Sequence, residues 1–188
     1  MKRLFLIAGL MTAFGLAVLA ASAAAPANFA GTWSLDKAKS QGLSQRMQGA
    51  DKVTWTIAQD DKTISIDQKV EGGQPPGGGG GGGGGTGGGG GAGGGRPPAG
   101  PTSYNLDGSE TTADITGQMT GKSTFKATWA GSNLELSRKS VLTGPNGEVT
   151  TSESRKLALS GDGKVLTATV HSESPRGVTD STLVFNKQ

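Results

Sequence analysis

Apolar and polar residues alternate along much of this chain. Val53, Trp55 and Ile57 are separated by Thr54 and Thr56, and Ile64, Ile66 and Val70 share a run with Ser65 and Asp67. Successive side chains of a strand point to opposite faces, so a period of two predicts strands with one buried face. Asp60-Asp61 between the two runs predicts a tight turn and hence a hairpin. The pattern returns at Phe125, Ala127 and Trp129 and, beyond Gly131-Ser132-Asn133, at Leu134 and Leu136. Further turns are marked by Pro145-Asn146-Gly147, Gly161-Asp162-Gly163 and Pro175-Arg176-Gly177. Between them lie a Thr- and Ser-rich strand over about 148–159, a strand carrying Leu166, Ala168 and Val170, and a closing strand over 178–185. A helical period occurs only over 38–49, where Leu43 and Met47 stand four apart on one face.

Strands joined by short turns predict an all-β, antiparallel up-and-down meander of about 8–10 strands with one short helix. A meander of that length closes, because unpaired edges template aggregation, and a small barrel is the solution. The expected domain is 24–188, interrupted by a segment of different character.

That segment is 71–101, which holds 20 of the chain's 34 glycines and 5 of its 8 prolines and no side chain larger than Ala among its apolar residues. It buries too little apolar surface to offset its ordering entropy, so a long disordered Gly-rich loop is expected. Each doubling of loop length costs only ~0.6 kcal/mol, so closing it between two strands costs roughly 2 kcal/mol more than a four-residue turn. A phosphate-binding loop is excluded: Gly95 is followed by Arg96-Pro97-Pro98 rather than by Lys and Ser or Thr opening a helix. The run from Gly117 to Gly121-Lys122-Ser123 is one residue short of that spacing and precedes a strand.

The N-terminus reads as a signal peptide over 1–23. Lys2 and Arg3 open it, an apolar run from Leu4 to about Ala20 follows, and Ala21-Ser22-Ala23 is a small-x-small cleavage pattern. The leader has the character of a bacterial Sec-type signal, which predicts a periplasmic or secreted protein without a membrane anchor after cleavage. With no cysteine there is no lipoprotein thiol and no dependence on disulfides. Removing Lys2 and Arg3 from the 18 Lys and Arg leaves 16 against 15 Asp and Glu, a net charge of +1. No run of five basic residues occurs, so the sequence gives no footing for nucleic-acid binding.

Catalytic chemistry is hard to assemble from these residues. His171 is the sole histidine and its sequence neighbours, Ser172 and Glu173, suggest an exposed strand end rather than a triad. Asp60-Asp61 is turn chemistry, and no Asp or Glu cluster has metal-ligand spacing. No catalytic residue, metal or cofactor is therefore assigned.

The opening Asn28-Phe29-Ala30-Gly31-Thr32-Trp33-Ser34-Leu35 places Gly-x-Trp in the first strand of a meander, just before a short helical segment. This resembles the lipocalin (calycin) opening and, with Leu35-Asp36 and Lys39-Ser40, the mature start of small exported bacterial proteins with a lipocalin-like domain. The resemblance extends to Tyr104-Asn105-Leu106-Asp107-Gly108, to Leu157–Lys164 and to Val184-Phe185-Asn186-Lys187. It implies a lipocalin-like barrel in which Gly31 and Trp33 are structural, with the indole sealing one end beneath an arginine; Arg138 and Arg155 are the two candidates. It also implies a small apolar or amphipathic ligand inside the barrel. Inward residues then supply the wall: Trp55, Ile57, Ile64, Ile66, Phe125, Trp129, Leu134 and Leu136. Two other readings use different parts of the chain. One is an envelope or secreted interaction module working through the Gly-rich loop, and the other is a hydrolase built on His171.

Overall fold

The computed structural model describes residues 26–72, 100–117, 119–145 and 147–188. The leader and almost all of the glycine tract lie outside the described residues. In chain order the elements are β1 (Gly31–Leu35), α1 (Gln45–Gly49), β2 (Lys52–Gln59), β3 (Thr63–Glu71), β4 (Thr102–Asn105) and β5 (Thr111–Ile115). Then come β6 (Thr120–Ala130), β7 (Asn133–Gly144), β8 (Gly147–Leu159), β9 (Val165–Ser174) and β10 (Gly177–Lys187).

The ten strands form one antiparallel sheet in the order β4-β3-β2-β1-β10-β9-β8-β7-β6-β5. Most ladders join strands adjacent in sequence, and β1 also pairs with β10, with Leu35 opposite Phe185. The sheet thereby curls into a nearly closed barrel whose seam lies between β4 and β5. Side chains bridge that seam: the Tyr104 and Phe125 rings meet edge to face at 5.7 Å, and the Thr111 hydroxyl donates to the Ser103 carbonyl.

The period of two is realised as burial. Val53, Trp55, Ile57, Ile64, Ile66, Phe125, Ala127, Leu134 and Leu136 are all buried, while Thr56, Asp67 and Thr128 between them are exposed. Asp60 makes the expected turn, its carboxylate accepting from the backbone N–H groups of Lys62 and Thr63. The helix is shorter than its period suggests. Its N-cap is Ser44, whose hydroxyl accepts from Met47 N–H, so Leu43 lies outside it. The preceding chain is held against β10 instead: Gln41 bridges to Thr182, and Gly42, at φ +66, comes so close that a Cβ there would sit 2.3 Å from the Asp180 carbonyl. Leu43 and Met47 nevertheless both pack against the core.

The meander gives the barrel two ends. The β2–β3, β6–β7 and β8–β9 turns gather at one, together with residues 26–30; this is the floor. Helix α1 and the β7–β8 and β9–β10 turns belong to the other, the helix end.

Candidate functional site

The floor is built by sequence-adjacent devices. Phe29 and Trp33 are wholly buried, and the Trp33 indole N–H donates to the Phe29 carbonyl at 2.9 Å. Phe29 stacks on Trp129 at 6.2 Å, and Trp55 lies against Phe185 at 4.4 Å. Leu134, Leu157 and Leu166 complete the layer, each fully buried. Trp33, the tryptophan of the Gly-x-Trp stretch, lies fully buried in this layer.

Its cation is neither of the expected arginines. The Lys187 ammonium, from the end of β10, sits 5.2 Å from the Trp33 ring centroid. Gly31 permits this, because a Cβ there would already touch the Lys187 side chain at 3.0 Å. The reason is register: Trp33 lies opposite Lys187 in the β1–β10 ladder, whereas Arg138 and Arg155 are carried by β7 and β8, farther round the sheet. Lys187 closes the stretch quoted for the resemblance, but the sequence reading gave it no part in covering Trp33; its place two residues beyond Phe185 in the last strand was the available signal.

The two arginines instead enter the barrel. Cross-strand partners share a face, so Arg155, opposite Leu136 and Val170, points inward, as do Arg138, opposite Phe125, and Glu153, opposite Arg138 and Ser172. Glu153 accepts from Arg155 Nε at 2.7 Å and lies 3.9 Å from the nearer Arg138 nitrogen. The Arg155 guanidinium stands 5.4 Å over the Trp55 ring, and the Trp55 indole N–H donates to Gln68 Oε1 at 3.0 Å. Gln68, Trp55, Arg155, Glu153 and Arg138 therefore form a continuous polar belt, reaching from β3 through β2 to β8 and β7. Tyr104, on β4, is close enough to sense all three charges.

The charges of the belt are mutually set. Burial pushes the Glu153 carboxyl up, but Arg155 and then Arg138 outweigh it and hold the group below the ordinary glutamate range. Burial likewise works against the charged form of Arg155, and Glu153 more than offsets it. Desolvation raises Tyr104, so its hydroxyl stays protonated. The belt carries two cations and one anion, a net charge of +1.

Above the belt the inward positions change character. Ser123 and Ser140 share a buried hydrogen bond at 2.7 Å, and Thr151, Ser172 and Ser181 follow around the wall. Val53, Ile115 and Leu142 are buried here but stand apart from the main core cluster. Several inward side chains retain accessible surface: 24% for Arg138 and 18% each for Glu153 and Arg155, with Val70, Val149, Thr151, Ser172 and Ser181 also half-buried. Part of the inward, polar surface at this end therefore stays in contact with solvent.

Of the eight expected wall residues, Trp55, Ile57, Ile64, Ile66, Phe125, Leu134 and Leu136 belong to the main core cluster, and Trp129 packs against it. Trp55, Phe125 and Leu136 meet the belt through their register partners Gln68, Arg138 and Arg155. Sequence reasoning gave no site role to Gln68, Glu153 or Tyr104. The signal for Glu153 and Arg155 was present: they share one parity with Leu157 and Leu159, whose apolar character marks the inner face of β8.

His171 is on the outer face. Its Nδ1 lies 2.6 Å from Asp180 and its Nε2 3.3 Å from Glu173, which in turn accepts from Ser152 Oγ. Among the described residues no nucleophile hydrogen-bonds to the ring, and no three His, Asp or Glu side chains are placed to hold a metal. The Asp180 hydrogen bond, followed by that of Glu173, raises the imidazole above its ordinary 6.5.

No protein-family model and no curated protein sequence matches this chain. Among solved structures, zebrafish ileal bile acid-binding protein complexed with cholic acid is similar at 12% identity, over 85% of this chain and 98% of that one, with a TM-score of 0.39. What the structure itself defines is the barrel: a ten-stranded antiparallel meander, nearly closed.

Proposed function

We propose that this chain is an exported, lipocalin-like carrier that holds a small amphipathic ligand in the helix-end half of its barrel. The observation that carries the reading is the change of the interior along the barrel axis. The floor is aromatic and aliphatic, with Phe29, Trp33, Leu134, Leu157, Leu166 and Phe185 wholly buried, whereas the half above it is lined by charged groups, hydroxyls and a few aliphatic side chains. Ligand sites are mostly apolar with a few fixed polar groups, which is this composition. A purely structural interior has no need of such a belt. A buried ion pair is often no more stabilising than well-packed apolar residues of the same volume.

Of the residues expected at the wall, Trp55, Phe125 and Leu136 would border the ligand through the belt, and Ile57, Ile64, Ile66, Trp129 and Leu134 would support the floor beneath it. Export rests on the leader, with Lys2, Arg3 and Ala21-Ser22-Ala23 as its marks. The test is native mass spectrometry of the mature chain, expressed with its leader and purified from the periplasm, before and after denaturation. A bound mass released on unfolding is the expected result. A clean apo mass together with unchanged tryptophan fluorescence on adding amphiphiles would overturn the reading.

A further inference from the structure

The outer wall of the barrel carries its charge in a pattern. From β6 to β10 the registers lay out rows across the sheet, and in two neighbouring rows a cation and an anion flank β8 symmetrically. In one, Ser152 on β8 lies between Lys139 on β7 and Glu173 on β9. The next runs Lys126, Ser137, Ser154, His171 and Asp180. Lys139 and Glu173 are thus one strand to either side of β8, and Lys126 and Asp180 are two strands to either side. All four are exposed. Neither sign is settled within the chain. Lys122 is paired with Asp114 at 3.6 Å, but Lys126 and Lys139 make no ion pair among the described residues. Glu173 and Asp180 share a single imidazole, at 3.3 and 2.6 Å, so even a protonated His171 leaves one carboxylate charge uncompensated. Between the two sides β8 presents Thr150, Ser152 and Ser154, short side chains that let another surface come close.

We propose that this wall is a docking surface for a second copy of the chain, the two barrels meeting face to face about a two-fold axis that runs along β8. Such an axis turns the second copy over and exchanges the two sides of each row. Lys139 then faces Glu173 of the other copy, Lys126 faces Asp180 of the other copy, and the symmetry makes each pair twice. An isologous contact closes at two chains, so it gives a dimer and not a filament. Aligned sheets pack about 10 Å apart and roughly 30° askew, a turn that long lysine side chains absorb. The following row places Lys156 on the axis, opposite its own copy, and Glu135 beside it on β7 offsets that like charge. The arrangement of signs also selects the occupant. A wholly acidic or wholly basic partner is repelled by one side of the wall, whereas a copy of this chain matches both. Exposed pairs are individually weak and are screened by salt, so the dimer is weak and salt-dependent. Both ends of the barrel stay clear of this contact, which is therefore independent of what the interior holds.

The test is analytical ultracentrifugation of the mature chain at low and high salt. A reversible dimer is expected, with dimerisation at least about tenfold weaker when the ionic strength rises from ~0.02 M to ~0.5 M, which shortens the Debye length from roughly 20 Å to roughly 4 Å. Charge reversal on one side, as Lys126→Glu with Lys139→Glu or as Glu173→Lys with Asp180→Lys, is expected to give monomers. Mixing the two reversed chains is expected to give a one-to-one heterodimer. Circular dichroism checks that each variant is folded. Carbodiimide coupling, which joins an amine to a carboxylate in contact, is applied to mixed isotopically light and heavy wild-type chains. Light–heavy peptides linking Lys139 to Glu173 are the expected product, and this measurement decides the matter if a variant fails to fold. A wild type that stays monomeric at low salt, whatever other macromolecule the wall binds, would overturn the proposal. So would a dimer that survives charge reversal, folded reversed chains that do not pair, or a dimer without the light–heavy link.

Discussion

The two halves of this barrel are made from the same strands and differ in what their inward positions carry. At the floor those positions are Phe29, Trp33, Leu134, Leu157, Leu166 and Phe185, all fully buried. Above the belt the same wall offers Ser123, Ser140, Thr151, Ser172 and Ser181 with a few aliphatic residues. The first set gains about 25 cal/mol for each Å² of apolar surface removed from water and does what a core must do. The second contributes little of that kind and includes a charged trio. Apolar burial is concentrated at one end, and on the proposed reading the ligand is held at the other.

The largest effect expected is at the floor. Trp33→Ala removes the plug and leaves a cavity under Phe29, a loss of about 3–5 kcal/mol read from urea unfolding. A loss under about 1 kcal/mol would mean that the floor is not the stabilising end.

The belt should behave asymmetrically. Arg155→Met leaves Glu153 buried with only a distant cation, and is expected to cost about 3 kcal/mol. Replacing all three charges (Arg138→Met, Glu153→Leu, Arg155→Met) should come within about 1 kcal/mol of wild type, because apolar groups of similar volume substitute well for a buried ion cluster. If the triple variant is as unstable as the single one, the belt is a structural element and the two halves differ less in what stabilises them.

The glycine tract supplies a third test. Because β3 pairs with β4, the tract must close a loop between two bonded strands. Replacing 73–99 by a four-residue turn should stabilise the fold by roughly 2 kcal/mol from loop closure alone. It should leave ligand binding unchanged; a loss of binding would favour an interaction module working through the tract.

The smallest effect is on the outer face. His171 is raised by Asp180 and then Glu173, so its folded pKa exceeds the unfolded 6.5. Its contribution is fully present below 6.5 and is lost as the pH rises through the folded value. His171→Gln should flatten the pH dependence of the thermal midpoint in that window, with no change in ligand binding at either end of it.

Much of the barrel was legible in the chain. Alternation located β2, β3 and β6, and turn signals such as Gly161-Asp162-Gly163 delimited the later strands. Where the pattern was silent the reason is physical. The strand β4 carries Tyr104 as its single large apolar residue and β5 only Ile115, so two short seam strands leave too few inward positions to show a period. Gly31 and Trp33 stood out as a local pattern, but the cation over Trp33 depends on β1–β10 register, which no local pattern fixes. The belt escaped for a related cause. Arg138, Glu153 and Arg155 resemble solvent-facing charges until the parity of β7 and β8 turns them inward, Arg138 opposite Phe125 and Arg155 opposite Leu136.

The central claim is that the helix-end half, and not the floor, receives the ligand. It is tested most directly by methyl-resolved nuclear magnetic resonance of the mature chain titrated with dodecanoate. Shifts at Val53, Val70, Leu142 and Val149, with Leu157 and Leu166 unmoved, are the predicted result. Shifts confined to Leu157 and Leu166, or to the outer face around His171, would contradict it.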